Sequence, residues 1–156
     1  MRIVPAASQA QLDEIRKLFQ EYAASLPFDL AFQRFDEEVK KLPGEYGPPT
    51  GSLLLAVDDK EVAYGCASLR KVDAKTGEMK RLYVKPEARK QGVGRQLAQA
   101  IIDTAGGRGY QRVVLDTTPH MKEAIDLYES LGFQRIKPYR KNPIKGALFF
   151  ELWLKQ

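Results

Sequence analysis

Arg89, Lys90, Gln91, Gly92, Val93, Gly94 and Arg95 gather three cations and two glycines at the head of a long amphipathic stretch, a few residues after a predicted strand from Lys80 to Val84. These types point to anion binding. Glycine inside a helix costs about 1 kcal/mol relative to alanine. Two of them in a first helical turn therefore imply that something approaches the backbone closely. A helix N-terminus offers unpaired N–H groups and roughly half a unit of positive charge, to which Arg89, Lys90 and Arg95 add, making a seat for phosphate or pyrophosphate. Two familiar phosphate loops do not fit. A dinucleotide fingerprint needs a third glycine where Leu97 stands, and it follows its strand directly, whereas Pro86 and its neighbours intervene here. A Walker loop needs Lys and then Ser or Thr after the second glycine, where this chain has Arg95 and Gln96.

Other chemistry-bearing residues are sparse. The single histidine, His120, follows Pro119 at the head of a later helix; histidine ordinarily titrates near neutrality, so it is a candidate base as well as a candidate loop or cap residue. The single cysteine, Cys66, sits in an apolar run and reads as core; alone it excludes an internal disulfide, and with one histidine it cannot make an ordinary zinc site. No metal is expected. The 156-residue chain, 44% hydrophobic, suits one domain spanning residues 1–156. Its formal charge is +5 and its pI is about 9.3. Nine Lys or Arg against three acids fall between Arg70 and Arg95, so the excess concentrates around the glycines. That region has Tyr83 as its one aromatic and shows no recognisable nucleic-acid module, which argues against nucleic acid as the anionic partner. No apolar run approaches the roughly 18 residues needed to span a membrane, and the first twelve residues lack a signal-peptide core, so the chain reads as soluble and cytoplasmic.

The elements that would position these groups follow from periodicity. Ser8 reads as an N-cap for a helix over Gln9 to Ala24, with Leu12, Ile15, Phe19 and Tyr22 at helical spacing. Leu30, Phe35 and Val39 predict a second helix ending near Leu42, before a Pro and Gly loop over Pro43 to Gly51. Leu53 to Val57, Val62 to Leu69 and Glu78 to Val84 read as three consecutive antiparallel strands. The Gly92 helix to about Arg108, a stop at Gly109, the strand Arg112 to Asp116, a helix over Met121 to Leu131 with Gly132 as its stop, and strands over Phe133 to Ile136 and Ala147 to Leu154 complete the chain. The expected architecture is α/β (α+β), a mixed sheet with helices packed on it, in which a strand, the Gly92 helix and a further strand form a parallel crossover.

The segment Leu82, Tyr83, Val84, Pro86 and Arg89 to Gly94 resembles motif A of the GNAT superfamily of acetyl-CoA-dependent N-acetyltransferases, with its Arg or Gln, two residues, Gly, one residue, Gly or Ala. Ala124 to Phe133, with Leu127, Tyr128, Gly132 and Phe133, is similar to that family's motif B and follows at the family's spacing. Many members carry Asn three residues before the motif B alanine; this chain has Met121. The resemblance implies a mostly antiparallel sheet of about seven strands flanked by about four helices, with two strands splayed at the cofactor site. It places the pyrophosphate of acetyl-CoA on Gln91, Gly92, Val93, Gly94 and Arg95, and the pantetheine arm along the backbone of Leu82, Tyr83 and Val84. It gives Tyr128 the role of hydrogen-bond donor or acid toward the departing sulfur. Ordinary values of roughly 10 for tyrosine and 8.5 for a thiol make full proton transfer uphill by about 2 kcal/mol.

Glu78 stands where many members hold a catalytic glutamate. By simple alternation it shares a strand face with Lys80 and Leu82, which makes it the candidate base; an ion-pair partner for neighbouring cations is the other reading. The acceptor is expected to enter opposite the cofactor, between the first two helices and the Tyr139 to Lys145 segment, where Phe28, Asp29, Phe32, Tyr139, Arg140 and Asn142 lie, with Asp116 and Thr117 at the end of the neighbouring strand. Arg140 beside an aromatic wall would suit an amine that also carries a carboxylate. The implied reaction is acetyl transfer to the primary amine of a small, amino-acid-like molecule by direct attack in a ternary complex. A protein lysine or N-terminal amine as acceptor, and a non-catalytic acyl-CoA sensor, are the alternatives. The expected partners are a small amine and at most a second copy of the chain, with neither nucleic acid nor membrane.

Overall fold

The computed structural model describes residues 1–155; Gln156 and the side chain of Phe32 lie outside the described residues. One sheet organises the chain. Its strands are Arg2–Pro5 (β1), Ser52–Val57 (β2), Ala63–Asp73 (β3), Thr76–Val84 (β4), Arg112–Thr117 (β5), Gln134–Ile136 (β6) and Leu148–Trp153 (β7), in the order β1-β2-β3-β4-β5-β7-β6. β4 and β5 pair in parallel, and every other neighbouring pair is antiparallel. The helices are Gln9–Ser25 (α1), Phe35–Lys40 (α2), Val93–Gly107 (α3) and Lys122–Ser130 (α4), with short 3₁₀ turns between some of them.

Local chemistry sets the element ends. Ser8 accepts a hydrogen bond from the Gln11 amide, and the Gln11 side chain accepts one from the Ser8 amide, a complete capping box for α1. The single helix expected through Leu42 is instead a 3₁₀ turn, Leu30–Gln33, followed by α2. The break falls at Arg34, whose backbone is left-handed at φ 57°, and no helix continues through such a residue. β1 was not anticipated: four residues ending in proline carry little alternation, and their pairing with β2 is a tertiary choice at the sheet edge.

Two apolar cores result from the alternation along β2. Leu54 faces α3 together with Leu69, Met79, Leu97, Ile101 and Phe150, while Leu53 and Leu55 face α1 with Ile15, Leu18, Phe19 and Tyr83. Cys66 is fully buried in the second core, where burial pushes its thiol well above the ordinary range.

In β4 the alternation fails. Tyr83 pairs with Cys66, yet Lys80 pairs with Ser68, so β4 carries an extra residue there, and Arg81 holds a left-handed φ of 59°. This is a β-bulge. Lys80 and Arg81 both turn toward the α1 and α2 side, where they reach Gln33 and Glu38, while Leu82 packs on the α3 side. The expectation that Glu78, Lys80 and Leu82 share one face is corrected for Leu82, because the bulge resets the parity of every later side chain.

Candidate active site

The geometry of the site begins with a fork in the sheet. β4 and β5 pair only at Thr76–Arg112, Gly77–Val113 and Glu78–Val114, and from Met79 and Leu115 onward they diverge. The β5-facing edge of Leu82, Tyr83 and Val84 thus has no ladder partner and is available to an extended ligand.

Beyond β4 the chain passes a 3₁₀ turn, Pro86–Ala88, and enters α3 through Arg89 to Gly92. Lys90 and Gly92 are both left-handed, at φ 64° and 80°. Gly92 therefore precedes the first helical turn and is not part of it; α3 starts at Val93, and no side chain caps its amides. A Cβ on Gly92 would meet nothing within 4 Å, so the turn opens to one side, whereas a Cβ on Gly94 would touch Leu127 and Val84 at 3.7 and 3.9 Å. Only Gly92 is required by conformation. Arg89 donates through Nε to the Val84 carbonyl at 2.9 Å and lies over the Tyr83 ring at 5.7 Å. Arg95 donates to the Ser130 hydroxyl at the end of α4. These two cations brace the turn against β4 and α4. The uncapped amides, the open side of Gly92 and the exposed Arg89, Lys90 and Arg95 together fit a diphosphate.

At the fork lies a cleft of about 50 Å³. Lys80, Arg81 and Leu82 line it from β4, Asp116 and Thr117 from β5, and Tyr128 from α4. Tyr22 and Phe28 close it from the α1 side. Burial pushes the Tyr128 hydroxyl well above the ordinary tyrosine range, and its ring packs edge-on against Phe133 at 5.8 Å. Met121 lines the cleft at the head of α4 and provides no side-chain cap there.

A charge network lies under one wall of the cleft. Glu78 is 1% exposed and accepts from Arg70 Nε at 2.8 Å and from the Tyr139 hydroxyl at 2.5 Å, with Arg140 at 3.2 Å. Arg140 also reaches Asp116 at 2.8 Å, and Asn142 donates to the other Asp116 oxygen at 3.1 Å. Burial, reinforced by Glu78, drives the Tyr139 hydroxyl far above its ordinary range. Arg81 grips Glu38 through two hydrogen bonds at 2.9 and 3.1 Å. Lys80 Nζ donates to Gln33 at 3.0 Å; burial, aided by neighbouring Arg81, lowers its pKa to about 7.

Residues 12–133 match the model of the acetyltransferase (GNAT) family, which covers most of the chain. The chain belongs to that family. A relative from Schizosaccharomyces pombe, described as an uncharacterized N-acetyltransferase, is 39% identical over 142 residues, covering 90% of this chain and 87% of the relative. A putative acyl-CoA N-acyltransferase from Klebsiella pneumoniae superposes with a TM-score of 0.75 at 26% identity, over 99% of this chain and 97% of that one. A putative acetyltransferase from Salmonella typhimurium, solved with acetyl-CoA, shares the fold at a TM-score of 0.70 and 22% identity, over 100% of this chain and 95% of that one. The chain is therefore a GNAT acyltransferase, with, among the described residues, the seven-stranded mixed sheet and four helices that its resemblance implied.

Within this GNAT fold the expected residues divide. Leu82, Phe28, Asp116, Thr117 and Tyr128 meet at the cleft, and Val84 and Arg89 to Arg95 lie along the route to the turn. Glu78, Tyr139 and Arg140 do not line the cleft, because they are engaged with one another beneath it. His120 is exposed, bonded to the Thr118 hydroxyl at 2.9 Å and packed edge-on against Phe28 at 5.4 Å. Sequence reasoning passed over Lys80 and Arg81 as cleft residues. The available signal was two adjacent cations inside a strand that is otherwise buried.

Proposed function

We propose that this acyltransferase moves an acetyl group from acetyl-CoA to the primary amine of a small molecule, by direct attack in a ternary complex. The observation that carries the reading is the junction of the open glycine turn, the unpaired edge of β4 and the narrow cleft at one fork. When bound, acetyl-CoA supplies the activated thioester. The amides of Gln91 to Arg95 would hold its diphosphate, and the β4 edge from Leu82 to Val84 its extended arm. A β4 amide at the fork would stabilise developing negative charge on the carbonyl oxygen.

Tyr128 acts as a hydrogen-bond donor toward the leaving sulfur. Its raised pKa makes full proton transfer costlier than for an ordinary tyrosine, while leaving the hydroxyl protonated at neutral pH. Glu78 holds Arg140 and Tyr139 in place, and the ammonium proton leaves by way of solvent and not by direct contact with Glu78. Tyr22 and Phe28, which line the cleft from the α1 side, favour a small acceptor over a protein lysine. A thiol-release assay with acetyl-CoA against free amines and against lysine-containing peptides tests this reading. Turnover of small amines is expected, and turnover of peptides alone would refute it.

A further inference from the structure

The ion pairs around the cleft are complete except at one residue. Arg81 is matched by Glu38, Arg70 by Glu78 and Glu45, and Arg140 by Asp116 and Glu78, each within hydrogen-bonding or ion-pairing distance. Lys80 is 7% exposed, yet its ammonium contacts a neutral amide, Gln33, and no carboxylate among the described residues lies close enough to pair with it. Burial without a counter-charge disfavours the ammonium, so Lys80 gives up its proton more readily unless a bound anion supplies the missing charge. Lys80 lines the cleft, so a ligand there can reach it. The opposite strand presents Asp116 to the same space. One wall thus offers a lysine without a counter-ion, and the other a carboxylate that, beyond its bonds from Arg140 and Asn142, keeps lone pairs able to accept from an amine, an arrangement complementary to a zwitterion.

We infer that Lys80 receives a carboxylate of the acceptor, so that the enzyme selects amines that also bear a carboxylate, with Asp116 orienting the ammonium. This rests on the acetyl-transfer reading above and reassigns the carboxylate contact expected of Arg140, whose guanidinium is already engaged by Glu78 and Asp116.

A pH signature follows. Arg81 on the same strand, Arg140 from the segment before β7 and Arg70 on β3 disfavour the charged Lys80, Glu78 favours it, and burial outweighs all of them, leaving its pKa at about 7. A bound carboxylate stabilises the ammonium, so binding is accompanied by proton uptake and weakens as the pH rises above 7.

The test uses matched acceptor pairs that differ by the carboxylate: glycine and methylamine, leucine and isopentylamine, phenylalanine and phenethylamine, β-alanine and ethylamine. The ratio of kcat/KM within each pair is read by thiol release at saturating acetyl-CoA, which cancels effects common to both members. A charge-assisted hydrogen bond predicts a preference of about 10- to 100-fold for the carboxylate member in at least one pair. That ratio should fall by up to tenfold per pH unit above 7 and collapse toward one in Lys80→Met. Lys80→Gln, which retains a polar partner for Gln33, gives the same collapse if Met perturbs folding. Equal or better use of the bare amines, or a preference that survives both variants, would overturn the assignment of Lys80 while leaving acetyl transfer intact. Absence of turnover for every acceptor, with acetyl-CoA still bound, would instead remove the small-amine reading and this inference with it.

Discussion

The two sides of the fork solve an electrostatic problem in opposite ways. On the turn before α3, cations stand exposed and the anion seat we propose consists of backbone amides, so its position depends on one left-handed glycine and a helix start. On the acceptor side the charges are buried and held by side chains, most of them from elements distant in sequence: Glu38 by Arg81, Glu78 by Arg140 and by Arg70 on the neighbouring strand, Asp116 by Arg140 and Asn142. The first construction suits a ligand common to a whole family. On the Lys80 assignment proposed above, the second makes a cleft whose selectivity can change with one unmatched residue.

The contrast is sharpest where a buried pair is broken. Arg81→Leu leaves Glu38 nearly buried without its partner, and a loss of about 3–5 kcal/mol in unfolding free energy is expected from denaturant titration. The double variant Arg81→Leu with Glu38→Leu should recover much of that loss; no recovery would show that the bulge itself, and not the ion pair, needs Arg81. On the exposed side Gly92→Val should leave the fold intact yet raise the acetyl-CoA Kd about 30-fold, equivalent to about 2 kcal/mol, because a β-branched residue resists φ 80° and its side chain fills the open face of the turn. Calorimetry reads this directly, and an unchanged Kd would remove the anion assignment.

Tyr128→Phe should lower kcat about tenfold with little change in acetyl-CoA affinity, the scale of one charge-assisted hydrogen bond. A loss beyond about a hundredfold would restore full proton transfer as its role. The smallest effect belongs to Gly94→Ala, whose Cβ makes ordinary contacts at 3.7 and 3.9 Å. A change in Kd of less than about threefold is expected, and a loss equal to that of Gly92→Val would mean that both glycines, not one, define the seat.

The same contrast explains what could be read from the sequence. The glycine turn, α3 and the Tyr128 helix were legible because their chemistry is local: spacing, caps and helical period carry the information. Most strand positions followed from alternation as well. β1 escaped because its partner, β2, lies some fifty residues away. The bulge escaped because Arg81 is an unusual residue for a left-handed backbone, and no turn residue announces it. Arg140 was legible as a carboxylate-binding type, but the carboxylates it binds, Glu78 and Asp116, come together only in the folded sheet. Lys80 belonged to a run of strand residues whose burial could be anticipated, whereas its lack of a counter-ion is a property of the whole neighbourhood.

The fork also divides the sheet mechanically. β1 through β4 form one leaf and β5, β7 and β6 another, and their backbones are stitched together by three residue pairs at one end, like a book bound along a short spine. The opening angle of that book sets how far Lys80 on one page stands from Asp116 on the other. A Cβ added at the spine, at Gly77, would press on Leu69 and Tyr110 at 2.9 and 3.0 Å and so strain the hinge between the leaves without touching acceptor or cofactor.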